Sequence, residues 1–249
     1  MKKEIDKTDP LLYLREFTAA RIAIGRVGNS IPLKQSLEFK LAHAHARDAV
    51  YSLLDIDGLM ESLKVFELPV LHLYSKADRR HTYLKRPDLG RQLNEQSIRQ
   101  LAEYKTDADI SIIIADGLSA TALNDNTFNL LEVLIPMLRS AKLTIGPITL
   151  VEQGRVAIGD DIAHELGAGL SILLIGERPG LSAADSMGAY LTYKPKPGLT
   201  DESRNCISNI RPEGLIPKLA ADKIFYLIKE AFSRKLSGVA LKDNAGLLS

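Results

Sequence analysis

Leu173-Leu-Ile-Gly-Glu-Arg-Pro-Gly180 is the stretch on which the fold turns. An apolar run that halts at a glycine, an acid, a base and a Pro-Gly turn predicts a buried strand delivering polar groups to a sheet edge. Open α/β sheets bind their ligands at that edge. Two further polar segments lie downstream, Ser182-Ala-Ala-Asp-Ser186 and Arg204-Asn-Cys-Ile-Ser-Asn-Ile-Arg-Pro-Glu-Gly214.

Outward from this stretch, short apolar runs at residues 110–115, 143–151, 170–175 and 189–193 alternate with helical patterns at 127–141 and 161–166. A last helix is expected over 217–235, where Ile224, Leu227, Ile228, Ala231 and Phe232 recur at helical spacing. Strand and helix in alternation predict a parallel sheet with helices on its faces. Earlier in the chain the pattern is helical at 11–20, 32–53, 59–66 and 87–104, and only 69–74 reads as extended. The expected architecture is therefore α/β: a Rossmann-like parallel-sheet domain over 107–249, preceded by a smaller, mostly helical lobe over 1–106. The polar segment 104–109 is the expected linker.

At 249 residues the chain is long enough to bury a self-sufficient core. Thirty-two basic residues against thirty-one acidic ones leave a net charge of +1, so no global field draws it to nucleic acid or an anionic membrane. The single cysteine, Cys206, excludes an intramolecular disulfide and fits a reducing, cytoplasmic setting. The opening segment, Met1 to Pro10, has basic residues without an apolar stretch behind them, and no run approaches the ~20 residues that span a bilayer. The expectation is a soluble protein without a membrane partner.

In a parallel sheet the segments leaving the strands' carboxyl ends converge. Here they would gather Asp116, Ser119, Arg155, Val156, Glu177 and Arg178 around one crevice. Asp116 and Ser119 suit a ligand, with capping of the following helix the preferred reading. Glu177 could accept from a ligand, or pair with Arg178 or a nearby backbone amide. Cys206 reads as a small hydrophobe before a nucleophile, and Val156 alone indicates only packing. The segment Arg21-Ile-Ala-Ile-Gly-Arg-Val-Gly28 offers cations beside turns, an anion contact or an ordinary loop.

Several signatures are missing. The glycines of Leu166-Gly-Ala-Gly-Leu170 precede a strand, whereas a dinucleotide fingerprint follows one. No P-loop occurs, and Asp78-Arg79-Arg80 reads as a solvated charge cluster. His43 and His45 are spaced i, i+2 and so fall on different helix faces, while His72, His81 and His164 stand alone; no metal site is expected. Ser119 lacks a glycine-flanked elbow, and no cysteine-histidine pair is local. No catalytic constellation belongs to this chain.

Gly154-Arg-Val156, Ile175-Gly-Glu-Arg-Pro-Gly-Leu181 and Asn205-Cys-Ile-Ser-Asn-Ile210 together closely resemble the small (light) subunit of ethanolamine ammonia-lyase. The resemblance continues in Ala20-Arg-Ile-Ala-Ile-Gly-Arg-Val-Gly28, Leu84-Lys-Arg-Pro-Asp-Leu-Gly-Arg91 and Ala115-Asp-Gly-Leu-Ser119, so it runs nearly the whole chain in order. It implies an adenosylcobalamin-dependent enzyme converting ethanolamine to acetaldehyde and ammonia by radical chemistry. A separate large subunit would hold substrate, and the small subunit would help enclose the cobalamin where the two meet. By motif, the resemblance implies cobalamin contacts at Val156, Glu177 and Cys206, none of them acid, base or radical carrier. It also implies a cytoplasmic chain, with a bacterial microcompartment as a further location that relatives with longer N-terminal extensions reach. Two other readings stand beside it: a self-contained Rossmann-like protein for a nucleotide or small ligand, and a purely structural interaction subunit.

Overall fold

Residues Ile110–Ala115 form a strand buried at every position, as a run rich in β-branched residues should be when both faces are covered. It is β2 of a six-stranded sheet. The structure is a computed structural model and describes residues 11–243; the reading of Met1 to Pro10 lies outside the described residues. The sheet order is β1 (Val70–Tyr74), β3 (Ile145–Glu152), β2, β4 (Leu170–Gly176), β5 (Met187–Tyr193) and β6 (Asn205–Ile210). Strands β1, β3, β2 and β4 run parallel, β5 runs against β4, and β6 runs against β5.

The expected parallel sheet is therefore corrected to a mixed one. A parallel partner for β4 would need a crossover of a dozen residues or more, usually a helix. Segment 177–186 contains none, and its Pro179 and Gly180 turn the chain straight back. Because β6 reverses again, its carboxyl end returns to the edge where β4 ends.

Seven α-helices flank the sheet among the described residues. On one face, α5 (Ala120–Ser140) and α7 (Pro217–Arg234) pack side by side, and Leu130, Leu134, Ile224 and Ile228 meet Ile112 and Ile114 of β2 and Ile172 and Leu174 of β4. On the other, Ile158 and Ile162 of α6 (Ile158–Glu165) and Leu101 of α4 (Glu95–Ala102) join Ile113 and Leu173. Alternating strand positions feed the two cores.

The N-terminal part adds α1 (Leu33–Tyr51), α2 (Ile56–Leu63) and α3 (Arg80–Lys85). Asp55 caps α2 by accepting the Gly58 N–H at 3.0 Å, which tucks Leu59 and Leu63 into the core. Helix α1 buries only Ala49 and leaves Leu33, Leu37, Phe39 and Leu41 exposed. Strand β1, from before residue 106, pairs with β3 from after it.

Some elements differ from the sequence-based expectation. Residues 11–20 hold only a short 3-10 turn, Leu12–Glu16. The helix read over 87–104 begins at Glu95, where Asn94 accepts the Ser97 N–H at 2.8 Å. Helix α5 starts at Ala120, because Ser119 caps it. Helix α3 and strand β6 were not anticipated. The only buried apolar residues of β6 are Ile207 and Ile210, too sparse a pattern to mark a strand.

Candidate functional site: an open sheet face beside a filled crevice

The groups expected in one crevice divide into two places. At the carboxyl ends of β2 and β3, Asp116 is only 3% exposed and accepts the Gly154 N–H at 3.0 Å, stitching the strand ends together. Burial pushes its carboxyl up to about 6, against the pull of the Gln153 and Gly154 amides and of Arg80 at 3.6 Å. Arg80 donates to the Val50 carbonyl at 2.6 Å and the Gly117 carbonyl at 2.8 Å. Buried Tyr83 lies under both Arg80 and Arg155, whose guanidinium carbons stand 4.7 and 4.2 Å from its ring centroid. This point, where a doubly wound sheet would admit a ligand, is filled by the protein's own side chains. Arg80 is correspondingly no solvated charge, although Asp78 and Arg79 are exposed. The start of α3 at Arg80 turns it inward.

Ser119 takes the capping role: its hydroxyl accepts the Ala122 N–H at 3.4 Å and donates to the Ala184 carbonyl at 2.7 Å. Arg178 is exposed and makes no ion pair among the described residues. Arg21 donates to the Leu181 carbonyl at 3.2 Å, tying the N-terminal segment to the β4–β5 loop.

Glu177 stands elsewhere, on the face of the sheet opposite α5 and α7. Its N–H donates to the Ser186 carbonyl at 3.0 Å, while its Oε2 accepts the Asn209 N–H at 3.1 Å and the Ser186 hydroxyl. Those bonds join the ends of β4, β5 and β6. Oε1 takes no donor among the described residues. A Cβ on Gly188 would stand 3.1 Å from that oxygen, so the glycine leaves the carboxylate open.

Along the same face, Cys206 of β6 lies opposite Tyr190 of β5. Cys206 and Ser208 are exposed and Tyr190 is half-buried. Desolvation raises the pKa of both the Tyr190 hydroxyl and the Cys206 thiol, and the Glu177 carboxylate pushes both the same way. Cys206 reaches solvent, yet neighbouring protein dehydrates its sulfur; the thiol stays protonated at neutral pH and is no activated nucleophile. Val156 lies beyond the carboxyl end of β3, in the turn before α6, and packs against the apolar cluster that Tyr190 also touches.

Beside Val156 opens a cleft of about 390 Å³, bounded by Arg91, Arg155, Arg204 and Asp201. Arg204 is buried against Asp160, with Asp201 on its outer side at 2.8 Å. Sequence reading missed Tyr190, Asn209, Arg204 and Asp160, and only the Asp201 and Arg204 spacing gave a local hint. His43, His45 and His164 are exposed, and His72 pairs with Glu152 at 2.7 Å. Among the described residues no group of three His, Cys, Asp or Glu could hold a metal ion, and no helix is long and apolar enough to cross a membrane.

This face is open, carries both polar and apolar groups and ends in a carboxylate. In comparison with known proteins, the family model "Ethanolamine ammonia-lyase light chain (EutC)" matches residues 8–242. The chain belongs to that family. Proteins named "Ethanolamine ammonia-lyase small subunit" are similar over almost its whole length. That of Pseudomonas fluorescens (strain Pf0-1) is 49% identical over 98% of this chain and 90% of its own. That of Pseudomonas putida (strain W619) is 50% identical over 95% and 89%. That of Pseudomonas paraeruginosa (strain DSM 24068 / PA7) is 49% identical over 97% and 90%. As a light chain, the protein is one component of a lyase, and Val156, Glu177 and Cys206 all fall within its family match.

Proposed function

We propose that this light chain forms one wall of the adenosylcobalamin site of an ethanolamine ammonia-lyase whose large subunit carries the substrate. In that enzyme ethanolamine becomes acetaldehyde and ammonia. The observation that carries the reading is the unpaired Oε1 of Glu177, held at the end of an uncovered sheet face that also bears Cys206 and Tyr190. A carboxylate fixed by two donors on one oxygen presents the other as a ready acceptor. Cobalamin has a rim of amides and a ribose, donors that suit it.

The residues present fit the group. Val156 and the Tyr190 ring supply apolar surface, Gly188 gives clearance, and the protonated Cys206 packs without competing as a ligand. When bound, the cofactor supplies the radical that starts the reaction. This chain orients one face and, with its partner, keeps water from the reacting region. No acid or base on it needs to touch substrate. The mostly helical lobe over 1–106 and the sheet domain over 107–249 would then act as one wall. Location in the cytoplasm, or with the large subunit inside a microcompartment, belongs to the same proposal.

Ammonia release from ethanolamine with added adenosylcobalamin tests it, with this chain alone, the large subunit alone and the two co-expressed. Activity only in the co-expressed sample is expected. A verified complex without activity would refute the assignment.

A further inference from the structure

The cleft beside Val156 holds two arginines that pair with no carboxylate. Of its three arginines, Arg204 is neutralised by Asp160 and Asp201. The Arg91 side chain is exposed and has no partner among the described residues, and the Arg155 guanidinium donates only to the Tyr83 carbonyl, at 3.1 Å, with no carboxylate in ion-pair range. Two buried guanidinium nitrogens around this cleft, Arg155 Nε and Arg204 Nε, have no hydrogen-bond partner, and the Arg204 side chain is 2% exposed. A buried donor left unmade costs about 1–3 kcal/mol. The Val156 and Ala157 N–H groups, at the uncapped start of α6, also lack acceptors among the described residues.

Cations without anions, orphaned donors and free amides around one small cleft specify a compact anion bearing several acceptor oxygens. Resting on the function proposed above, we infer that this cleft takes the phosphodiester of the cobalamin's nucleotide tail, with Arg91 and Arg155 as its charged partners. The position supports that source. Val156 lines the cleft and, like Tyr190, packs against the apolar cluster beneath this face, so the cleft adjoins the open face. One continuous surface thus offers Glu177 to the amide-rich rim and two arginines to the only anionic group of the cofactor.

Equilibrium binding followed by absorbance, on the complex with the large subunit, separates the possibilities. Adenosylcobalamin, adenosylcobinamide phosphate and adenosylcobinamide serve as probes, since the last lacks the phosphate. Arg91→Gln, at an exposed unpaired position, should leave the fold intact; Arg155→Gln removes the second charge. The double variant should bind the two phosphate-bearing probes about 10- to 100-fold more weakly and adenosylcobinamide as the wild type does. Inorganic phosphate should compete with adenosylcobinamide phosphate in the wild type only. Equal weakening of all three probes, or of none, overturns the inference while leaving the wider assignment intact. Arginine-dependent phosphate binding without any effect on cobalamin assigns the cleft to a free anion and also overturns it. A wild-type complex that binds no corrinoid overturns both this inference and the function it rests on.

Discussion

Glu177 and Asp116 are both acids at strand ends, and their surroundings give them different tasks. Glu177 keeps one oxygen for the fold and leaves one open. Glu177→Ala removes both roles: stability should fall by about 1–2 kcal/mol and cobalamin affinity by roughly tenfold, with the fold retained. Glu177→Gln keeps an acceptor for Asn209 and should recover most of the stability but not all of the affinity. Urea unfolding together with cofactor titration checks this, and normal affinity in the folded alanine variant would remove Glu177 from the site. Asp116, raised to about 6 by burial, binds its proton more tightly folded than unfolded. It therefore favours the folded state most below about pH 4, and this contribution fades as pH rises to 6 and beyond, by about 2–3 kcal/mol in all. The stability advantage of wild type over Asp116→Asn should shrink between pH 4.5 and pH 7, measured by urea unfolding at each pH. The Ser119 cap was legible because a helix follows it in sequence. The bond of Asp116 to Gly154 was not, since only tertiary pairing of β2 with β3 creates it.

At the scale of elements, the apolar runs of β2, β3 and β4 announced themselves because strands covered on both faces need no polar alternation. Direction is a different matter. An apolar run at 189–193 reads the same whichever way it lies, so β5's reversal was not legible in it and the sheet was expected to be parallel. Close backbone approach at the β4 terminus is similarly silent in sequence. A Cβ on Gly176 would meet the Ser119 carbonyl oxygen at 2.0 Å and that of Asp116 at 2.6 Å. Those are backbone atoms of the turn between β2 and α5, and they cannot swing away. Gly176→Ala should cost about 3 kcal/mol, against about 1 kcal/mol for Ser119→Ala, which loses a cap but leaves no clash. Thermal unfolding of the two variants should rank them in that order, and a Gly176→Ala protein as stable as wild type would contradict the close approach.

Across the whole molecule, the mixed sheet leaves one of its faces partly uncovered at β5 and β6. Helices α5 and α7 pack on one face over β2, β4, β5 and β6, whereas on the other α6 packs on β2 and β4 and leaves Cys206 and Ser208 of β6 exposed. The resemblance supplied Val156, Glu177 and Cys206 as residues; what the sequence could not display is that β6 reverses against β5, which brings Asn209 at its carboxyl end to Glu177 at the end of β4. One open face gives a large ligand few donors and no exclusion of water, and affinity depends on both. The isolated light chain should consequently bind adenosylcobalamin at least about 100-fold more weakly than the complex with the large subunit, a difference of about 3 kcal/mol. Titration of the separate chain and of the complex gives that ratio directly. Equal affinity in the two would mean that this chain encloses the cofactor alone, which its uncovered β5 and β6 do not allow.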